Sequence, residues 1–123
     1  MTDASRAALE RAKARLDTLD LYPEPVRIDG LRVHVLPWLF RLPLLGRLDA
    51  FTLARTIVFR RPPGGPPGAR ASDTLVTHEL VHIWQGQNRR VPLLLSYVRH
   101  GYRDNPYEQQ ARTVAAATRN LAV

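Results

Sequence analysis

Two histidines and a glutamate, in the run His78-Glu79-Leu80-Val81-His82, have the spacing of residues that do chemistry. On a helix, positions four apart share a face and stand about 6 Å apart along the axis. Two imidazoles so placed can converge on one ion, at about 2.0–2.1 Å each for zinc. Glu79 lies about 100° around the helix from His78, so its carboxylate can stand beside the ion without ligating it. A water on zinc, its pKa brought toward about 7, needs a base there. Glu79 would take that proton and later deliver it to the leaving amine. Leu75, His78, His82 and Gln85 make one stripe of this helix, and apolar Leu80, Val81, Ile83 and Trp84 suit its burial.

Two histidines do not complete a catalytic zinc site, which usually has three protein ligands and an open position. The extended histidine pattern fails, because Gln85 stands where a glycine is needed and Asn88 where a third histidine is needed. His100, Asp104 and Glu108 remain. Glu108 follows Asn105, a helix cap, and Pro106, a first-turn residue. A carboxylate there is stabilised by the helix dipole. Ala111 and Ala115, one and two turns further on, would let a second helix approach closely. The same spacing is that of a capping box, in which Glu108 reaches back to the N–H of Asn105. His100 is the alternative ligand, or a donor to a reacting oxyanion. Tyr97, Tyr102 and Tyr107 each carry a hydroxyl that could serve the oxyanion, Tyr102 first among them; each also reads as a packing residue with a wet tip.

The elements that must position these residues follow from pattern and punctuation. Residues 3–20 have helical periodicity and are stopped by Pro23 and Pro25. Residues 26–37 read as extended, with Asp29-Gly30 as a hairpin turn, and residues 51–61 as a second extended run. Proline and glycine dominate residues 62–68, inside a surface loop over 60–73. Ser72 or Asp73 caps a helix over 74–87. A short helix over 92–100 and a last helix over 103–123 complete the chain. The order implies one α+β domain over 1–123 with segregated elements.

The bulk numbers set bounds. A chain of 123 residues with 45% hydrophobic content supports one modest core. The net charge is +7, and all but Lys13 of the 18 basic residues are arginine. They are scattered, without a basic stripe interleaved with aromatics, so a nucleic-acid surface is weakly supported. The lack of cysteine excludes disulfides, thiolate zinc ligands and thiol catalysis. The N-terminus has no apolar signal core, and a cytoplasmic location is the expectation, with non-classical export as the alternative. Residues 36–48 are the greasiest stretch, but Pro37, Arg41 and Pro43 interrupt it and it is too short to span a bilayer. A packed connection is expected there, an interfacial membrane contact being the other reading.

The run THELVHIWQ followed by GYRDNPYEQQAR resembles the gluzincin zinc metallopeptidases, and most of all the minigluzincins and the small bacterial HExxH peptidase-like domains, some associated with contractile injection systems. The resemblance covers roughly residues 51–115. It implies a small zincin-like fold: an N-terminal helix, a short mixed or antiparallel sheet, an HExxH helix and a glutamate-bearing C-terminal helix. It implies His78, His82 and Glu108 as zinc ligands, Glu79 as general base and acid, and a peptide or protein substrate added alongside the strand ARTIVF, residues 54–59. Two departures stand out. Only about 15 residues follow Glu108, so the far wall of a larger gluzincin cleft is nearly absent. The Pro/Gly loop could overhang the cleft as a lid or be a tolerated insertion. A zinc peptidase leads; a zinc-binding module of a secretion or injection assembly with little or no turnover is the alternative, and a basic nucleic-acid-associated protein a third.

Overall fold

Capping decides where the helices begin. In the computed structural model, which describes residues 1–88 and 105–121, helix α1 (Asp3–Asp17) follows Thr2, whose hydroxyl accepts from the Ser5 N–H. Helix α2 (Asp73–Gln87) follows Ser72, whose hydroxyl accepts from the Leu75 N–H at 3.1 Å. Helix α3 (Pro106–Thr118) follows Asn105, whose Oδ1 accepts from the N–H groups of Tyr107 and Glu108. Each cap satisfies donors that a helix leaves open at its start. The expected helix over 92–100 lies outside the described residues, as do Tyr97, His100, Tyr102 and Asp104.

Three short strands, β1 (Arg32–Val35), β2 (Ala50–Leu53) and β3 (Thr56–Phe59), form a mixed sheet in the order β1-β3-β2. β1 runs parallel to β3, with Val33 opposite Ile57. β2 runs antiparallel to β3, with Thr52 opposite the same Ile57. Two expectations are corrected here. Residues 51–61 are a hairpin rather than one strand: the chain reverses at Ala54-Arg55, with Ala54 at φ +53°. Hairpin turns need positive φ, and alanine does not advertise it. Residues 26–37 do not form a hairpin either. Gly30 turns the chain at φ +71°, but the stretch before it is engaged elsewhere. The Glu24 carbonyl accepts from the Trp84 indole N–H at 2.7 Å, and the Arg27 N–H donates to Gln87 Oε1 at 2.6 Å. Residues 24–27 thus lie along the end of α2.

α2 is the axis of the α+β fold. Val76, Leu80, Val81, Ile83 and Trp84 are buried against Leu9, Ala12 and Leu16 of α1, Ile57 and Phe59 of β3 and Ala111 of α3. Each large side chain among them contributes about 1.5–3 kcal/mol by leaving water. Tyr22 closes on Trp84 edge-on, with centroids 5.4 Å apart. Ala111 and Ala115 are both buried, as close helix approach requires. The two helices meet through side chains: Gln85 reaches Tyr107 and Gln110, while His78 and His82 reach Glu108.

Residues 36–48 are a surface connection with one anchor. A 3-10 turn (Pro37–Arg41) buries Phe40 against Phe51 and leaves Trp38 exposed. The Pro/Gly loop is tied down at its base. Pro63 and Gly64 are buried, Ser5 Oγ donates to the Pro63 carbonyl at 2.7 Å, and the Ala71 N–H donates to the Pro62 carbonyl. Gly64, at φ +82°, lies so close to the Ala4 carbonyl that a β-carbon would collide with it. Among the described residues, no helix is long and apolar enough to cross a membrane.

Candidate metal centre

His78 and His82 leave α2 on the face that meets α3, their rings 5.0 Å apart and steeply inclined. Glu108, in the first turn of α3, is buried between them. Its Oε1 lies 2.7 Å from His78 Nε2 and 3.1 Å from His82 Nε2. One carboxylate oxygen thus binds both imidazoles across a separation of 26 to 30 residues. His78, Glu79 and His82 each bring a ligand atom within 4.8 Å of the others, a group that could hold a metal ion. The donor set fits: two imidazole nitrogens and carboxylate oxygens, largely shielded from water, are what a borderline divalent cation takes.

Gln85 orients His82. Its amide is fixed by two donated bonds, to the Tyr107 carbonyl at 3.0 Å and to Gln110 Oε1 at 2.7 Å. Its Oε1 is therefore turned to His82 Nδ1, at 2.8 Å. With Nδ1 donating to Gln85, Nε2 is the nitrogen left for Glu108 or for an ion. Both nitrogens face acceptors, and only the doubly protonated ring can donate to both. Burial opposes that charge, but the bond to Glu108, the charges of Glu79 and Glu108 and the bond to Gln85 outweigh it, and the His82 pKa is raised above 6.5.

Glu79 stands near His78 without bonding it. Its Oε2 is 3.8 Å from His78 Nε2, too far for a direct bond. Thr52 of β2 donates its hydroxyl to Glu79 Oε1 at 2.9 Å. Burial pushes the Glu79 pKa above its usual 4.5, aided by the charge of Glu108; His82, His78 and the Thr52 hydroxyl pull the other way. The two carboxylates are thus held differently, Glu108 on the imidazoles and Glu79 on the sheet.

A cleft of about 1200 Å³ opens beside the pair, with His78 and Glu79 in its wall. Ala50 of β2 also lines it. The strand expected to receive a peptide, residues 54–59, cannot offer an edge. β3 is central, hydrogen-bonded to β1 on one side and β2 on the other. β2 is the sheet edge nearest the cleft.

The structure brings His78, Glu79, His82 and Glu108 together at one place. Tyr102, the candidate oxyanion donor, and His100, the alternative ligand, fall outside the described residues. Tyr107 comes in through its backbone carbonyl, on Gln85. Thr52 and Gln85 were not singled out by type. Gln85 had a signal, since three residues after His82 places it on the same helical stripe. Thr52, 27 residues before Glu79, had none.

A family model, that of the eCIS core domain, matches residues 44–90. The match covers 47 of the 123 residues. It takes in β2, β3, the Pro/Gly loop and α2 with both histidines, and stops before Glu108. No curated protein and no solved structure matches the chain.

Proposed function

We propose that this chain is a zinc-binding component of a contractile injection assembly, with zinc held by His78, His82 and Glu108. The observation that carries the metal is the single Glu108 oxygen bonded to both histidines on the face of α2. The likeness of residues 44–90 to the eCIS core domain supports the assembly. The chain's own residues build a stable holder: Gln85 fixes the His82 ring, Asn105 fixes the first turn that carries Glu108, and Ala111 and Ala115 bring α3 onto α2.

Glu79 favours a second reading, hydrolysis of a peptide bond. A structural site does not need a buried carboxylate held off the imidazoles by a threonine. When bound, zinc supplies Lewis acidity, which activates water and polarises a carbonyl. Glu79, with Oε1 fixed by Thr52, would take a proton from the attacking water and give it to the leaving amine. Burial, by raising its pKa, suits it to both halves of that transfer. An extended peptide would lie along the β2 edge, beside Ala50.

Metal analysis of the purified chain tests the first reading. One zinc per chain is expected, with loss in His82→Ala and weakened retention in Glu108→Ala; full occupancy in His82→Ala would end it. Turnover of a peptide library separates the second. Glu79→Gln should keep its zinc and lose about 10²–10⁴-fold in rate, whereas a wild-type chain loaded with zinc and inert on every peptide leaves the binding component alone.

A further inference from the structure

The cleft beside His78 and Glu79 is lined by a concentration of arginine that the sequence, with its scattered basic residues, does not announce. Arginine is 17 of 123 residues in the chain but five of the fifteen described residues that line the cleft. Arg47, Arg60, Arg61, Arg70 and Arg112 arrive there from separate places: the connection before β2, the end of β3, the Pro/Gly loop and α3. A run of basic sequence does not produce that convergence; the fold does.

Among the described residues, acids leave three of these arginines without an ion pair. Asp49 and Glu79 are the acidic ones among the described residues of the wall. Asp49 lies 3.6 Å from Arg60, whose Nη2 is also bonded to the carbonyls of Gly46 and Leu48. Arg60 is therefore engaged by its own loop. Glu79 is bonded to the Thr52 hydroxyl and lies 3.8 Å from His78 Nε2. Among the described residues, Arg47, Arg61 and Arg70 form no ion pair with a carboxylate. Arg70 donates weakly to the Gly65 carbonyl at 3.4 Å. Three guanidinium groups on a shared concave rim raise the local concentration of anions and steer them inward.

We propose that this cleft binds an acidic stretch of protein, its carboxylates on Arg47, Arg61 and Arg70 and its backbone along the β2 edge. The inference rests on the cleft at the metal centre being the ligand site. A protein segment suits it better than nucleic acid. Leu44, Leu48 and Leu75 give the cleft apolar wall, and no phenylalanine, tyrosine or tryptophan among the described residues lines it to stack a base. Guanidinium forks match carboxylates two bonds at a time. The Pro/Gly loop thereby acquires a role: its tied-down base places Arg61 and Arg70 at the rim.

The test uses the full chain, zinc-loaded and carrying Glu79→Gln, so that cleavage cannot consume the probe. Fluorescence anisotropy follows a labelled twelve-residue peptide of alternating Glu and Ala, against the same peptide with Gln for Glu. Several exposed pairs, each worth a factor of about two to five, should make the acidic peptide at least about tenfold tighter. The preference should shrink with added salt as screening shortens to a few ångströms. It should vanish in Arg61→Gln/Arg70→Gln and survive in Arg32→Gln/Arg119→Gln, whose arginines are exposed and outside the cleft. Equal binding of the two peptides, equal loss in both double variants, or tighter binding of an oligothymidylate or of phosphatidylserine vesicles would each overturn the proposal. Zinc content read on the same samples shows separately whether the metal reading stands.

Discussion

At the residue scale, the centre is a set of hydrogen bonds that choose an orientation for each ring and carboxylate. Gln85 is the clearest case. It is fully buried, and every polar atom of its side chain is used on His82 or α3. Gln85→Leu keeps the volume and removes all three bonds. His82 Nδ1 would lose its acceptor, and metal affinity should fall about 10–100-fold, read by calorimetric titration, while circular dichroism stays native. Unchanged affinity would mean that packing alone orients His82. Parts of the candidate site were legible in the sequence because helical periodicity is local: i, i+4 puts His78 and His82 on one face, and a cap three positions back puts Glu108 in a first turn, though not against the histidines. The partner of Glu79 was not legible. Whether a threonine on a strand faces a glutamate 27 residues later depends on sheet register, which residue types alone do not set.

At the element scale, caps and turns decide what reaches the site. α3 carries Glu108 in the turn most exposed to fraying, and Asn105 Oδ1 holds that turn through two N–H groups. Asn105→Ala should cost about 0.5–2 kcal/mol of stability in urea unfolding, and metal affinity should fall with it. Thr2→Ala removes the corresponding cap of α1, which carries no ligand, so it should lower stability and leave affinity unchanged. A parallel loss of affinity in both variants would mean that general destabilisation, not the α3 cap, controls the centre. Helix starts were readable because Ser72, Asn105 and Pro106 act through their own chemistry on adjacent backbone. The β2–β3 reversal was not, since Ala54 takes positive φ without the glycine or asparagine that marks such turns. Nor was the fate of residues 24–27, whose backbone is bonded to Trp84 and Gln87 rather than to a strand.

At the scale of the whole molecule, the centre joins three segments far apart in sequence: β2 through Thr52, α2 through both histidines, and α3 through Glu108. The α+β class was visible in the order of elements, while the strand order was not, because the parallel β1–β3 pairing is a long-range choice. A metal at this junction should couple to stability across the fold, and the sign of its pH dependence follows from the two raised groups. Glu79, above 4.5, and His82, above 6.5, bind protons more tightly folded than unfolded. Their contribution in the metal-free chain is complete below those unfolded values and is lost as pH rises through the folded ones. Metal reverses the sense at His82, because a ligating imidazole must give up the proton that Glu108 favours. Zinc affinity, and with it the stabilisation that ligand binding confers, therefore grows with pH. The gap in Tm between zinc-loaded and chelator-treated protein should widen between about pH 5.5 and pH 8, measured by calorimetry at fixed free zinc. In His82→Ala, which has no such proton to release, the gap should be small and nearly flat. A wild-type gap that stays constant or narrows with pH would show that metal and proton do not compete for the bridge between α2 and α3.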